Sequence, residues 1–139
     1  TVTRPDGSSM RAYDLHLSSD GDPDETIEQA GRAAGFVRAD EQRRVRASTT
    51  AVAGDFNDEG IVETVRHFHS LGLVDRGSLP ANPTVAPSRR IDHVLVPETA
   101  EVIGEHVPDI TIEASARHSL GWSDLSDHLP VTMRFRSAP

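Results

Sequence analysis

The sequence contains no cysteine and no lysine. Without thiols, neither a disulfide framework nor a thiolate metal site can form, and cysteine usage leaves the redox compartment open. All 14 basic residues are arginine, a skew that a GC-rich coding bias explains as well as any function does. Positive charge is short overall: 22 acidic residues outweigh those arginines and give a formal net charge of -8. That balance argues against broad, sequence-blind adhesion to nucleic acid, which rests on many Lys and Arg contacts to phosphates. It leaves a nuclease open, because a bound divalent cation reverses the local field. No apolar stretch is long enough to cross a bilayer, so no membrane span is expected. A P-loop, an HExxH helix and a dinucleotide fingerprint are also missing.

What is present suffices for one folded domain. A chain of 139 residues, 36% hydrophobic and 26% charged, can bury a core and is too short to expect two domains. Residues 1–139 therefore read as a single domain, without repeats, low-complexity segments or an internal linker. The chain starts Thr1-Val2-Thr3 and offers a strand signal almost at once. It is expected to be a piece of something longer.

Along the chain, Pro5-Asp6-Gly7 followed by an extended run from about Met10 to Leu17 predicts a hairpin. The stretch from Asp20 to Ser48 is polar and then helix-forming, with Asp22 or Asp24 as the cap. Gly31 and Gly35 within it argue against one unbroken helix. "TTAVA", residues 49–53, predicts a strand ending at Gly54. Ile61, Val62, Val65, Phe68 and Leu71 fall near helical spacing, with Gly72 as the stop. "PANPTVAP" is a loop, "IDHVLVP" a nearly continuous apolar strand, and 98–125 an irregular region with a short "ITIEA" strand inside it. "HLPVTMRFR" closes the chain as a strand alternating at Val131, Met133 and Phe135. Strands separated by helices predict a layered α/β (α+β) architecture.

Several of these strands carry groups for which a buried strand has no use. Asp55 and Asn57 end "TTAVA", where an ordinary turn is the alternative reading. Asp92 lies within the apolar run, and Asp127-His128 immediately precede "LPVTMRF". His16 lies near the end of its own strand. Burying an unpaired carboxylate costs several kcal/mol, so Asp92 needs a partner, and a histidine on a neighbouring strand is the suitable type. Such a pair fixes the imidazole tautomer and raises its basicity for acid–base work on phosphate esters. Asp55, Asn57 and Asp127 offer hard oxygen ligands, which suit Mg2+ or Mn2+. By contrast, His67 and His69 lie two apart on a helix and do not face one another. His93, His106 and His118 read as structural or surface residues. Arg89 and Arg90 brace a loop more readily than they touch a substrate, and Trp122 fits packing as well as stacking.

"GDFN", "IDHVLV" and "SDHLPV", in that order and at these separations, resemble the endonuclease/exonuclease/phosphatase superfamily, the deoxyribonuclease-I-like fold. "LHLSS" is similar to that family's histidine-bearing strand, and "GLVDR" to its segment after the helix. The resemblance spans about residue 10 to the end. It implies a partial four-layer α/β/β/α sandwich of mixed sheets, with the site at one end of the sheets. It also implies roles. Asp55 would orient and deprotonate the attacking water, and Asn57 would hold that water or a phosphate oxygen. His128, paired with Asp92, would act on the transferring phosphate, Asp127 would belong to the metal site, and His16 would donate to a non-bridging oxygen.

The implied activity is metal-dependent hydrolysis of a phosphodiester or phosphomonoester with Mg2+ or Mn2+. The family's substrates include DNA, RNA, inositol phosphates and sphingolipids, and no stable protein partner is indicated. The family's early strands carry an Asn and a Glu that bind the metal, and nothing here matches them. The chain is thus expected to be the carboxyl-terminal half of the domain. The alternative reading is a non-catalytic or incomplete fragment that needs the amino-terminal half to be active.

Overall fold

The structure is a computed structural model, and it describes residues 1–3, 7–19, 22–43, 49–58, 62–76, 90–106, 128 and 131–136. Two short runs open the chain: β1 (Val2–Thr3) and β2 (Ser9–His16) pair antiparallel, Val2 opposite Met10. The expected hairpin is therefore present. Gly7 takes a φ of 82° ahead of β2, while Pro5 and Asp6 lie outside the described residues.

Helix α1 (Pro23–Gln42) follows. Asp22 is its N-cap, accepting from the Asp24 N–H at 3.0 Å, and Pro23 occupies the first turn, where no N–H is missed. Contrary to the expectation of a break, the helix runs unbroken through Gly31 and Gly35. Each glycine costs up to about 1 kcal/mol relative to alanine. Burial of Thr26, Ala30, Ala34 and Val37 along one face offsets that cost. Gly31 also has a use, because the His67 imidazole of α2 (Val62–His69) lies directly over it.

β3 (Thr49–Asp55) pairs parallel with β2, as a strand–helix–strand crossover requires. It does not stop at Gly54 but carries on to Asp55, with Gly54 at a φ of 137°. After α2, Gly72 turns the chain at a φ of 69° into β4 (Leu73–Asp75). β5 (Asp92–Pro97) pairs antiparallel with both β3 and β4, completing a five-stranded mixed sheet in the order β1-β2-β3-β5-β4. Its first residue is Asp92, so this carboxylate opens the strand and does not sit in its middle.

A second sheet pairs β6 (Glu101–His106) with β7 (Thr132–Arg136). β6 falls in the region expected to be irregular. Its "EVIGEH" sequence hides the strand, since a glycine and two glutamates break the alternation and the ladder shifts register between Val102 and Gly104. "ITIEA" and the proline-rich loop lie outside the described residues.

Successive strand residues point to opposite faces, and the larger sheet is packed on both. Val52, Leu95 and Leu73 join Ala30, Ala34, Val37, Val65, Phe56 and Phe68 under the helices. Ala51 and Val96 meet Ala100, with Val94, Met133 and Phe135 against them on the other face. Helices, five-stranded sheet and second sheet stack in that order, as in part of an α/β/β/α sandwich.

Candidate active site

The register of the large sheet puts three polar side chains in one row. His16 is the Cα partner of Asp55 across β2–β3, and Asp55 is the partner of Asp92 across β3–β5. All three sit at the strand ends beyond the packed core. His128, upstream of β7, completes the group: its Nδ1 lies 2.9 Å and 3.1 Å from the two oxygens of Asp92. A carboxylate accepts only, so Nδ1 carries a proton and donates it to Asp92, which leaves Nε2 facing Asp55. That Nε2 is 3.7 Å from Asp55 Oδ2, and His16 Nε2 approaches the same oxygen at 3.8 Å from its other side. One carboxylate oxygen thus faces two imidazoles.

The loop after β3 fixes which oxygen that is. The Asn57 N–H donates to Asp55 Oδ1 at 2.8 Å, closing an Asx turn. Asn57 holds a left-handed φ of 49°, a region asparagine tolerates better than most residues. Its Nδ2 donates to the Leu17 carbonyl at 2.9 Å, and the Leu17 N–H donates to the Asp55 carbonyl at 2.9 Å. The ends of β2 and β3 are thereby laced together. Thr64 Oγ donates to Asp58 Oδ2 at 2.8 Å and ties the same loop to α2. With Oδ1 engaged, Oδ2 of Asp55 is the oxygen turned toward the histidines.

Of the candidates from sequence, His16, Asp55, Asn57, Asp92 and His128 converge here. Asp127, Arg89, Trp122 and His118 lie outside the described residues. Exposure differs sharply across the group. The His16 side chain is 77% exposed, while Asp55 and Asp92 are 14% and 18% exposed. His16 is therefore the outward member, and the carboxylates are the sheltered ones.

Asp55, Asp92 and His128 also offer one ligand atom each within 4.8 Å of one another. Carboxylate oxygens suit a hard divalent cation, which takes about six ligands. The two carboxylates fit such an ion in type, the three donors fill at most half its shell, and Asp92 already faces the His128 Nδ1–H.

Sequence reading passed over a second pair. His93, taken as structural or surface, is buried with its Nδ1 2.9 Å from Asp75 Oδ2. "GLVDR" drew attention as a segment, but nothing in it signals that Asp75 meets a histidine on β5. The Leu17 carbonyl, a backbone atom, leaves no mark in sequence at all.

The model of the Endonuclease/Exonuclease/phosphatase family matches residues 2–128, and the chain belongs to that family. Among solved structures, a mannosyl-6-phosphatase of Bacteroides thetaiotaomicron VPI-5482 matches with a TM-score of 0.68 at 19% identity. The match covers 94% of this chain and 52% of that one. The human Nocturnin catalytic domain with a bound sulfate anion matches with a TM-score of 0.63 at 19% identity, over 93% of this chain and 46% of that one. A family protein from Beutenbergia cavernae DSM 12333 is 23% identical with a TM-score of 0.55, over 88% and 34%. The chain thus spans about half the length of the first two. At these identities the likeness is one of fold. No curated protein matches the chain.

Proposed function

We propose that this chain carries the catalytic residues of a divalent-metal-dependent phosphoesterase that works by in-line attack of water on phosphorus. One observation supports the reading above the rest: Asp55 Oδ2 faces His128 Nε2 at 3.7 Å while Asp92 holds the opposite ring nitrogen at 2.9 Å. Family membership agrees with it.

In this mechanism Asp55 Oδ2 takes the proton of the attacking water. Asn57 fixes Asp55 through its N–H and offers its side-chain amide to the water or to a phosphate oxygen. The new P–O bond forms opposite the ester oxygen, whose bond to phosphorus breaks, and the departing oxygen takes a proton from solvent. His128, oriented by Asp92, contacts the transferring phosphate. His16 donates to a non-bridging oxygen, a role suited to its outward position. Preorganised donors aimed at developing charge cost no reorganisation during the step. A bound Mg2+ or Mn2+ would offset that charge, with Asp127 among its ligands.

The substrate is a phosphodiester or phosphomonoester. Hydrolysis by the intact protein in H2 18O, with Mg2+ supplied, tests the reading. One 18O should enter the phosphate product, EDTA should stop turnover, and added Mg2+ or Mn2+ should restore it. Turnover unaffected by chelation, or 18O found only in the alcohol product, would exclude this mechanism.

A further inference from the structure

On the helix-covered face of the sheet, directly behind the site, lies a carboxylate–imidazole pair that the proposed reaction does not use. The His93 and Asp75 side chains are 0% and 5% exposed and joined by the 2.9 Å contact from Nδ1 to Oδ2. The His93 ring stands edge-on to Phe56, centroids 5.6 Å apart, and Phe56 in turn meets Phe68 at 5.9 Å. The remaining nitrogen, His93 Nε2, is buried with no hydrogen-bond partner among the described residues. An apolar ring would fill this space without desolvating a nitrogen. Packing alone therefore does not account for a histidine here.

Its neighbours in the chain indicate what it does. His93 follows Asp92 and Phe56 follows Asp55, so the His93–Phe56 contact backs the two site carboxylates. Those carboxylates are register partners, and like charges facing across a strand pair repel. On the outer side of β5, the described ladder with β4 ends at Asp75 opposite Leu95. The Asp75 side chain reaches past that end to His93 and extends the tie toward Asp92. We propose that the His93–Asp75 pair is a positioning device. It pins the start of β5 from behind, and so holds Asp92, and through it His128, at a fixed distance from Asp55. The inference deepens the phosphoesterase reading and rests on it for its kinetic consequence.

The test uses the intact protein and two variants. His93→Phe/Asp75→Asn removes the tie, keeps a ring against Phe56 and leaves no buried unpaired charge. Asp75→Asn alone keeps an oxygen acceptor for the His93 N–H. Two quantities are read: the kcat and KM split on a phosphoester, and the proton resonance of His128 Nδ1–H, which reports its bond to Asp92 without any substrate. The double variant should melt near the wild-type temperature yet lose about 10- to 100-fold in kcat with little change in KM, the scale of a misplacement near 1 Å. Its His128 resonance should shift or broaden. Asp75→Asn alone should lose less kcat and shift the resonance less. A double variant with wild-type kcat and an unmoved resonance would make the pair ordinary core and overturn the proposal. If the double variant does not fold, the single one decides by its resonance, and an unmoved signal there overturns the proposal equally. Absence of wild-type turnover would instead sink the phosphoesterase reading alone, because the resonance tests the tie independently.

Discussion

Gly54 shows how much of a site can rest on a missing side chain. Its φ of 137° lies where residues with a Cβ are strained, and a Cβ there would overlap the Leu15 carbonyl oxygen. The overlap is with backbone, so no rotamer change relieves it. Gly54→Ala should therefore destabilise the fold by about 3 kcal/mol or more, read by chemical denaturation. A loss under about 1 kcal/mol would mean that the β2–β3 approach is looser than described. Asp55, Asn57, Asp92 and His128 were legible in the sequence because polar groups within or beside apolar strands have few structural uses. The reason for Gly54 was not legible, since it depends on a strand some forty residues away. The His93–Asp75 pair was hidden in the same way: each residue is unremarkable until β4 is laid beside β5.

Among the elements, α1 departs most from what its sequence suggests. Its buried face is made of Thr26, Ala30, Ala34 and Val37, small residues that give a weak periodic signal. Its two glycines differ in what surrounds them. Gly35 has open space where a Cβ would go, whereas at Gly31 a Cβ would come within 3.2 Å of His67 Cε1. Gly35→Ala should stabilise the protein by about 0.5–1 kcal/mol, the helix-propensity difference. Gly31→Ala should gain clearly less, because the imidazole must shift. Thermal melts of the two variants check the ordering, and equal gains would show that the His67 contact is soft. Removing the cap with Asp22→Ala should cost about 1 kcal/mol in the same melts. β5 was the most legible strand, an apolar run buried on both faces of the sheet. β6 was the least, because its pattern is broken by a glycine and a register shift.

At the scale of the whole molecule, the larger sheet separates packing from chemistry along its length. The helices and the second sheet bury its middle, and the strand ends carry His16, Asp55 and Asp92 in one row. The layered α/β class followed from the alternation of strands and helices, but the strand order and the parallel β2–β3 pairing needed the structure. Among the described residues the cluster offers one candidate ligand atom each from Asp55, Asp92 and His128, and the chain spans about half of its solved relatives. Residues 1–139 alone should therefore turn over a phosphoester far more slowly than the intact protein.

The central claim is that Asp55 activates water in the cluster it forms with His128 and Asp92, and its most direct test is one rate comparison. In the intact protein with Mg2+, kcat on a simple phosphodiester is measured for wild type and for Asp55→Asn, with a melt of each. The amide keeps the shape of the carboxylate and its acceptor for the Asn57 N–H but loses the base, a role worth about 10²–10⁴-fold in rate. A loss of that size at an unchanged melting temperature is the predicted result. Undiminished turnover by Asp55→Asn would contradict the account.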